Sequence, residues 1–267
     1  MENAIFEEKK VSKAYMKLSL PLVLSMTVSL IYNLADTFFV AQTQNTNIVA
    51  GVSLCAPLFT TLMALGNIFG QGGSSLISRL LGKNDTTATR RVSAFCFWGA
   101  ILTGVLMGFI MLLFRTPLLY VIGANEETFN FARDYYTWLA IGAPALVLSF
   151  IHSNLLRSEG MSKESMIGTM GGAIVNILLD PIFISVLGLN AGGAAMASVI
   201  GYIFSDVYFA VVVAKKSKVL TLDIQETRIP ADHVKDIFAI GIPAAVVNIM
   251  SLSLIHISEP TRRRGIS

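Results

Sequence analysis

The sequence is short of charge, cysteine and histidine. Only 14% of its 267 residues are Asp, Glu, Lys or Arg, against about 25% in an ordinary globular domain. That deficit excludes a disordered chain, a nucleic-acid module and almost any soluble enzyme. The two cysteines, Cys55 and Cys96, lie inside apolar runs. No disulfide framework is indicated, and each reads as a small buried hydrophobe. His152 stands alone in an apolar run and reads as a hydrogen-bonded buried side chain rather than a metal ligand. No small-residue cleavage site follows the first apolar run, so that run reads as a retained membrane helix rather than a signal peptide.

What the sequence has instead is hydrophobicity in blocks: 54% of residues are hydrophobic and the mean hydropathy is +0.65. A hydrocarbon core of roughly 30 Å needs about 20 apolar residues of helix. Charge-poor runs of that length occur at about 18–40, 48–78, 92–114, 135–156, 163–187, 191–214 and 237–257. These predict an all-α polytopic membrane protein. Residues 1–17 form a cytoplasmic N-terminus, 18–214 a lobe of six transmembrane helices, 215–236 a cytoplasmic linker between lobes, and 237–251 the start of a seventh helix.

The basic residues set the orientation. With the N-terminus inside, inner segments carry Lys9, Lys10, Lys13, Lys17, then Arg79, Lys83, Arg90, Arg91, then Arg157 and Lys163. The last inner loop adds Lys215, Lys216, Lys218, Arg228 and Lys235, whereas the outer loops carry Arg115 and Arg133. That bias predicts a cytoplasmic N-terminus. The basic excess is therefore topological: it points to the anionic lipid bilayer as partner, with no nucleic acid. Arg262, Arg263 and Arg264 break the pattern, because the seventh helix should emerge on the outer side.

The segment from Ile237 to Pro243 approaches its proline as Tyr15 to Pro21 does in the first helix, and the same alignment matches Ser29 and Leu30 with Ser251 and Leu252. Two six-helix halves in parallel orientation would give such a repeat.

Three carboxylates fall within the spans: Asp36, Asp180 and Asp206. Each costs about 2.5–3.5 kcal/mol or more at mid-helix, so a paired, buried or functional role is the default. Asp36 lies roughly 28 Å of helix beyond Lys17, and Asp180 roughly 26 Å beyond Lys163. Both reach one level in the outer half of the membrane, where Ser198 also falls. Asn176 precedes Asp180 by one turn and shares its face. Pro181 leaves the Ile177 carbonyl without its helical donor. Carboxylates, an amide oxygen, a hydroxyl and a loose carbonyl suit Na+ or a proton. The plain alternatives are a wet helix end at Asp36 and a capped kink at Asp180-Pro181. Asp206 has no mate at its level and fits either a structural hydrogen bond or a cavity lining. Asn33 is a further cavity-lining candidate, while Asn67 and Gln71 fit cavity lining or ties between helices. Helix bending is expected near Pro21 or Pro181.

Several stretches together resemble the multidrug and toxic compound extrusion (MATE) family, in its MepA-like bacterial branch. They are Asn33-Leu-Ala-Asp-Thr-Phe-Phe-Val40, Gly66-Asn-Ile-Phe-Gly70, Ser78-Arg-Leu-Leu-Gly-Lys-Asn-Asp85 and Asn176-Ile-Leu-Leu-Asp-Pro-Ile-Phe183. The resemblance covers residues 1 to about 255. It implies the six-helix N-lobe of a 12-helix antiporter that expels lipophilic, often cationic, small molecules in exchange for Na+ or H+. It needs no cofactor and sits in a bacterial cytoplasmic membrane. The family's N-lobe cation site falls on Asp36, Asn176 and Asp180, and its hydroxyl ligand, often Thr, on Ser198 in Gly193-Ala-Ala-Met-Ala-Ser198. The family's second lobe would be the missing partner. Residues 252–267 resemble translated adaptor DNA and are expected to be a non-native tail. The alternatives are a flippase for lipid-linked saccharides, which would want a more cationic cavity than a lobe without mid-helix Lys or Arg, and an inactive truncated fragment. Nothing in the spacing supports an enzyme.

Overall fold

The computed structural model describes the backbone of residues 11–264 and the side chains of Met16 and of residues 19–250. The expectations for the first ten residues, and for the side chains of the 252–267 tail, lie outside the described residues.

Every described element is helical. In order they are α1 (Val11–Ala41), α2 (Thr46–Leu54), α3 (Ala56–Gly82), α4 (Thr86–Leu113), α5 (Arg115–Val121) and α6 (Phe129–Ser158). Then follow α7 (Ser162–Asp180), a π-helical turn (Pro181–Val186), α8 (Asn190–Lys216), a 3-10 turn (Ile224–Glu226) and α9 (Ala231–Arg264). Among the described residues, seven stretches are long and apolar enough to cross a membrane: Ser19–Ala41, Thr46–Gly82, Thr86–Leu113, Phe129–Ser158, Ser162–Val186, Asn190–Lys216 and Ala231–Met250. The chain is a multi-pass membrane protein, with six spans in one bundle and a seventh against its side.

Local chemistry sets the breaks. The second span divides at Cys55, because Pro57 sits in the first turn of α3 and has no N–H to donate back. The Cys55 thiol donates to the Ala132 carbonyl at 3.6 Å. Asp85 accepts from the Ala88 N–H at 2.9 Å and so starts α4. Gly160, at φ +89°, closes α6, with the Met161 N–H reaching back to the Leu156 carbonyl at 2.9 Å. The π-turn follows from Pro181, which interrupts the α-helical ladder directly after Asp180.

Helix α6 is the axle of the bundle, in contact with α3, α4, α7 and α8. Small residues bring backbones together, as expected where lipid supplies little hydrophobic drive. Gly104 of α4 faces Pro144 of α6, and Gly108 faces the Ala140 carbonyl. On the α7–α8 seam, Gly172 and Gly201 each face the other's carbonyl oxygen, and the Ser205 hydroxyl donates to the Gly168 carbonyl at 2.9 Å. A side chain at either glycine would push the two helices apart. The core holds Leu62, Leu146, Ile151, Leu156 and Phe209, all at most 1% exposed.

Within the polar stretch 215–236, α8 runs through Lys216 and α9 begins at Ala231, directly after Pro230. Between them the chain lies along α4. The Trp98 indole donates to the Leu222 carbonyl at 3.0 Å, the Thr221 N–H to the Ser93 hydroxyl at 2.9 Å, and Arg90 pairs with Glu226 at 2.9 Å. Helix α9 crosses α3 closely, Gly72 against the Ile237 carbonyl and Gly241 against the Ile68 carbonyl. One end of the bundle collects Arg79, Arg90, Arg157, Lys163 and Lys216, and is called the basic end below.

Candidate functional site

A cavity of about 570 Å3 opens between α1, α3, α6, α7 and α8. Its apolar wall includes Met26, Phe59, Met63 and Phe150, and its polar wall Ser149, Ser153, Thr169 and Ser205. Asn176 and Ser198, on the α7–α8 seam, form its polar floor.

Four polar side chains meet there because the α7–α8 seam is tight and the π-turn ends α7 at Asp180. The Asn176 amide donates to Asp180 Oδ1 at 3.4 Å and to Ser198 Oγ at 3.2 Å. Ser198 Oγ lies 3.3 Å from the Tyr32 hydroxyl of α1. Tyr202 of α8 lies beside Tyr32, and Asp36 and Asp180 are within electrostatic reach of each other. Asp180 is fully buried and Asn176 is 2% exposed.

The donors run out before the acceptors do. Asp36 Oδ1, Asp180 Oδ2 and Asn176 Oδ1 are buried with no hydrogen-bond partner. Unpartnered buried oxygens cost free energy unless a proton or cation completes them. Three oxygens of two carboxylates and an amide, with hydroxyls beside them, form a hard donor set. Among the described residues no group of three His, Cys, Asp or Glu is gathered for a metal ion.

Of the residues singled out from the sequence, Asn176, Asp180 and Ser198 are joined by hydrogen bonds, Asp36 lies within electrostatic reach of Asp180, and Asn33 lines the cavity as Asn176 and Ser198 do. Asn67 is buried in α3 and Gln71 is exposed there; neither is part of the cavity lining. Asp206 lies outside the lining too, 3.6 Å from His152. The structure adds three tyrosines and an arginine. Tyr32 extends the hydrogen-bonded cluster to α1 with Tyr202 beside it, and Tyr135 of α6 lies within electrostatic reach of Asp36 and Asp180. In a hydropathy reading a tyrosine inside an apolar run looks like any aromatic, and only its hydroxyl hints at a polar duty. Arg157, which the sequence places in an inner loop, lines the cavity at the basic end. Its guanidinium donates to Ser153 at 2.8 Å, Asn154 at 2.9 Å and Ser165 at 3.2 Å.

The fold and this site define a class: a helical membrane protein whose cavity ends in an oxygen-rich, donor-poor cluster. The MatE family model matches residues 21–182, well over half of the chain. The chain belongs to the MATE family. It is 33% identical over 246 residues to the multidrug export protein MepA of Staphylococcus saprophyticus, covering 92% of this chain and 54% of that one. A solved MOP superfamily transporter from Pyrococcus furiosus superposes with TM-score 0.84 at 29% identity, covering 90% of this chain and 53% of the other. The binding pocket of that transporter has reverse polarity, which suggests a different function for it. A MATE structure in a straight conformation matches with TM-score 0.84 and 29% identity, over 90% of this chain and 54% of its own. The chain thus spans about half the length of the curated relatives it matches.

Proposed function

We propose that this chain supplies the N-terminal lobe of a cation-coupled exporter of lipophilic, often cationic, small molecules. The lobe sits in a bacterial cytoplasmic membrane with its N-terminus inside. The observation that carries the reading is the set of three unpartnered buried oxygens on Asp36, Asn176 and Asp180 beside the cavity floor. A proton or Na+ entering there satisfies those oxygens and draws α1 toward α7 and α8 through Tyr32 and Ser198. Its departure loosens that contact. Ion binding and the position of α1 are then one equilibrium, and a drug that favours the loosened position is exchanged for the ion. The apolar wall of Met26, Met63, Phe59 and Phe150 suits flat lipophilic compounds and adapts to several shapes.

The expected result is that Asp180→Asn abolishes resistance to a lipophilic cationic dye in cells carrying the lobe within its whole transporter, with the variant still reaching the membrane. Undiminished resistance would overturn the reading. A second reading, export or flipping of an anionic amphiphile, gains support from Arg157, the cationic side chain in the cavity wall. In the same assay Arg157→Gln separates the two: it spares cationic dyes under the first reading and abolishes transport of an anionic lipid-linked substrate under the second.

A further inference from the structure

A second pair of ionisable side chains is buried away from the cation cluster. His152 of α6 is 2% exposed and Asp206 of α8 is 9% exposed, and His152 Nδ1 stands 3.6 Å from Asp206 Oδ1. His152 Nδ1, His152 Nε2 and Asp206 Oδ1 have no hydrogen-bond partner. The surroundings are aromatic: the Phe97 ring of α4 lies 5.2 Å from the imidazole and the Phe209 ring of α8 lies 6.0 Å from it. Along α8, Asp206 lies eight residues from Ser198, roughly 12 Å toward the basic end. The pair is therefore separate from the cluster at the cavity floor.

We infer that His152 and Asp206 form a second proton-binding site, which holds one proton between imidazole and carboxylate. An unprotonated pair carries one negative charge and a doubly protonated pair one positive charge, and each would be buried without compensation. With one proton the pair is neutral overall, and a small approach turns 3.6 Å into a charge-assisted hydrogen bond. No other charge faces the pair among the described residues. Arg157, on the same helix, is engaged by Ser153, Ser165 and Asn154, and on α7 Glu164 is held by Lys216 at 3.0 Å. On α4 the neighbour Cys96 faces Gly73 of α3, and Arg79 of α3 is paired with Asp236 of α9. The proton thus joins α6 to α8 behind the cavity wall. Ser149 and Ser153 of α6 and Ser205 of α8, which flank the pair in sequence, face the cavity itself.

The test is solid-state NMR of the full chain in lipid bilayers, with 15N in histidine and 13C in the aspartate carboxyl. The His152 ring signals are assigned by their disappearance in His152→Gln. Expected is a strong 13C–15N dipolar contact between the His152 ring and a carboxyl, with a ring-nitrogen shift of a hydrogen-bonded, protonated site. Asp206→Asn should remove the contact and move the His152 ring signals, whereas Asp36→Asn should leave both unchanged. A wild-type spectrum without the contact, or His152 signals unmoved by Asp206→Asn, would overturn the proposal. The wild-type measurement decides even if a variant fails to fold. Because Asp36→Asn alters only the cavity-floor cluster, a failure of the export reading leaves this result readable by itself.

Discussion

Helices α1 and α6 are equally able to span a membrane, yet they are held in opposite ways. In the most apolar stretch of α6, 61% of residues are buried; in that of α1, 11% are. Helix α6 is locked by backbone-close contacts, such as Gly104 and Gly108 of α4 against its Pro144 and Ala140. Helix α1 leans on α7, and its Tyr32 meets Ser198 of α8 at the oxygen cluster. Interlocked backbones have one arrangement and resist displacement. On the proposed function, a helix held through a polar cluster changes its attachment whenever the cluster gains or loses a cation. On that proposal, the difference separates the part of the lobe that frames the cavity from the part that responds to an ion.

The largest expected effect breaks the frame. A Cβ at Gly172 would fall on Ser205 Oγ and lie 2.6 Å from the Gly201 carbonyl oxygen, so α7 would have to leave α8. Gly172→Val is expected to yield no monodisperse protein after detergent extraction. Gly82→Val, where nothing lies within 4 Å of the added Cβ, is expected to behave as wild type. A normal size-exclusion profile for Gly172→Val would show that the α7–α8 seam is not part of a rigid frame.

A smaller change addresses the responsive part. Ser198 Oγ accepts from the Asn176 amide and meets the Tyr32 hydroxyl, so it links α7, α8 and α1. Ser198→Ala removes that link and leaves the helices in place. The expected outcome is cation affinity weakened about five- to tenfold, the equivalent of roughly 1–1.4 kcal/mol for a lost buried hydrogen bond. Isothermal titration with Na+ and with protons checks it, alongside an unchanged unfolding temperature. An unchanged affinity would remove the hydroxyl from the site.

The same contrast explains what the sequence could and could not reveal. Seven spans were legible because a ruler and a charge count suffice for them, and the described residues hold seven such stretches. Their interruptions were not. The run 48–78 reads as one helix by hydropathy, but Pro57 divides it at Cys55. Hydropathy counts side chains, and this break is a matter of a missing backbone N–H. Helix rise converts sequence distance into depth and so predicts one level for Asp36, Asn176, Asp180 and Ser198; the structure joins Asn176 to Asp180 and Ser198 by hydrogen bonds and leaves Asp36 within electrostatic reach of Asp180. Depth says nothing about azimuth, so the pairing of His152 with Asp206 was invisible: they lie on α6 and α8, and only the packing of those helices brings them together. Arg157 was hidden for the opposite reason. Its place near the end of a span fits a loop, whereas its long side chain folds back to line the cavity.

The smallest expected effect tests what α1 presents outward. Ile31, Leu34 and Phe38 follow one another at spacings of three and four, a single stripe of the helix, and are 53%, 70% and 57% exposed. If that stripe faces acyl chains, truncating Leu34 exchanges one hydrocarbon contact for another and creates no cavity. Leu34→Ala is therefore expected to change stability by no more than about 0.5 kcal/mol, read from thermal unfolding of the protein in lipid nanodiscs. A loss of about 2 kcal/mol or more is the signature of a buried leucine. It would mean that the stripe is packed against protein when the lobe is in its membrane, and that α1 is clamped on both sides. The responsive role would then have to pass to another helix, because a clamped α1 has no freedom for an ion to govern.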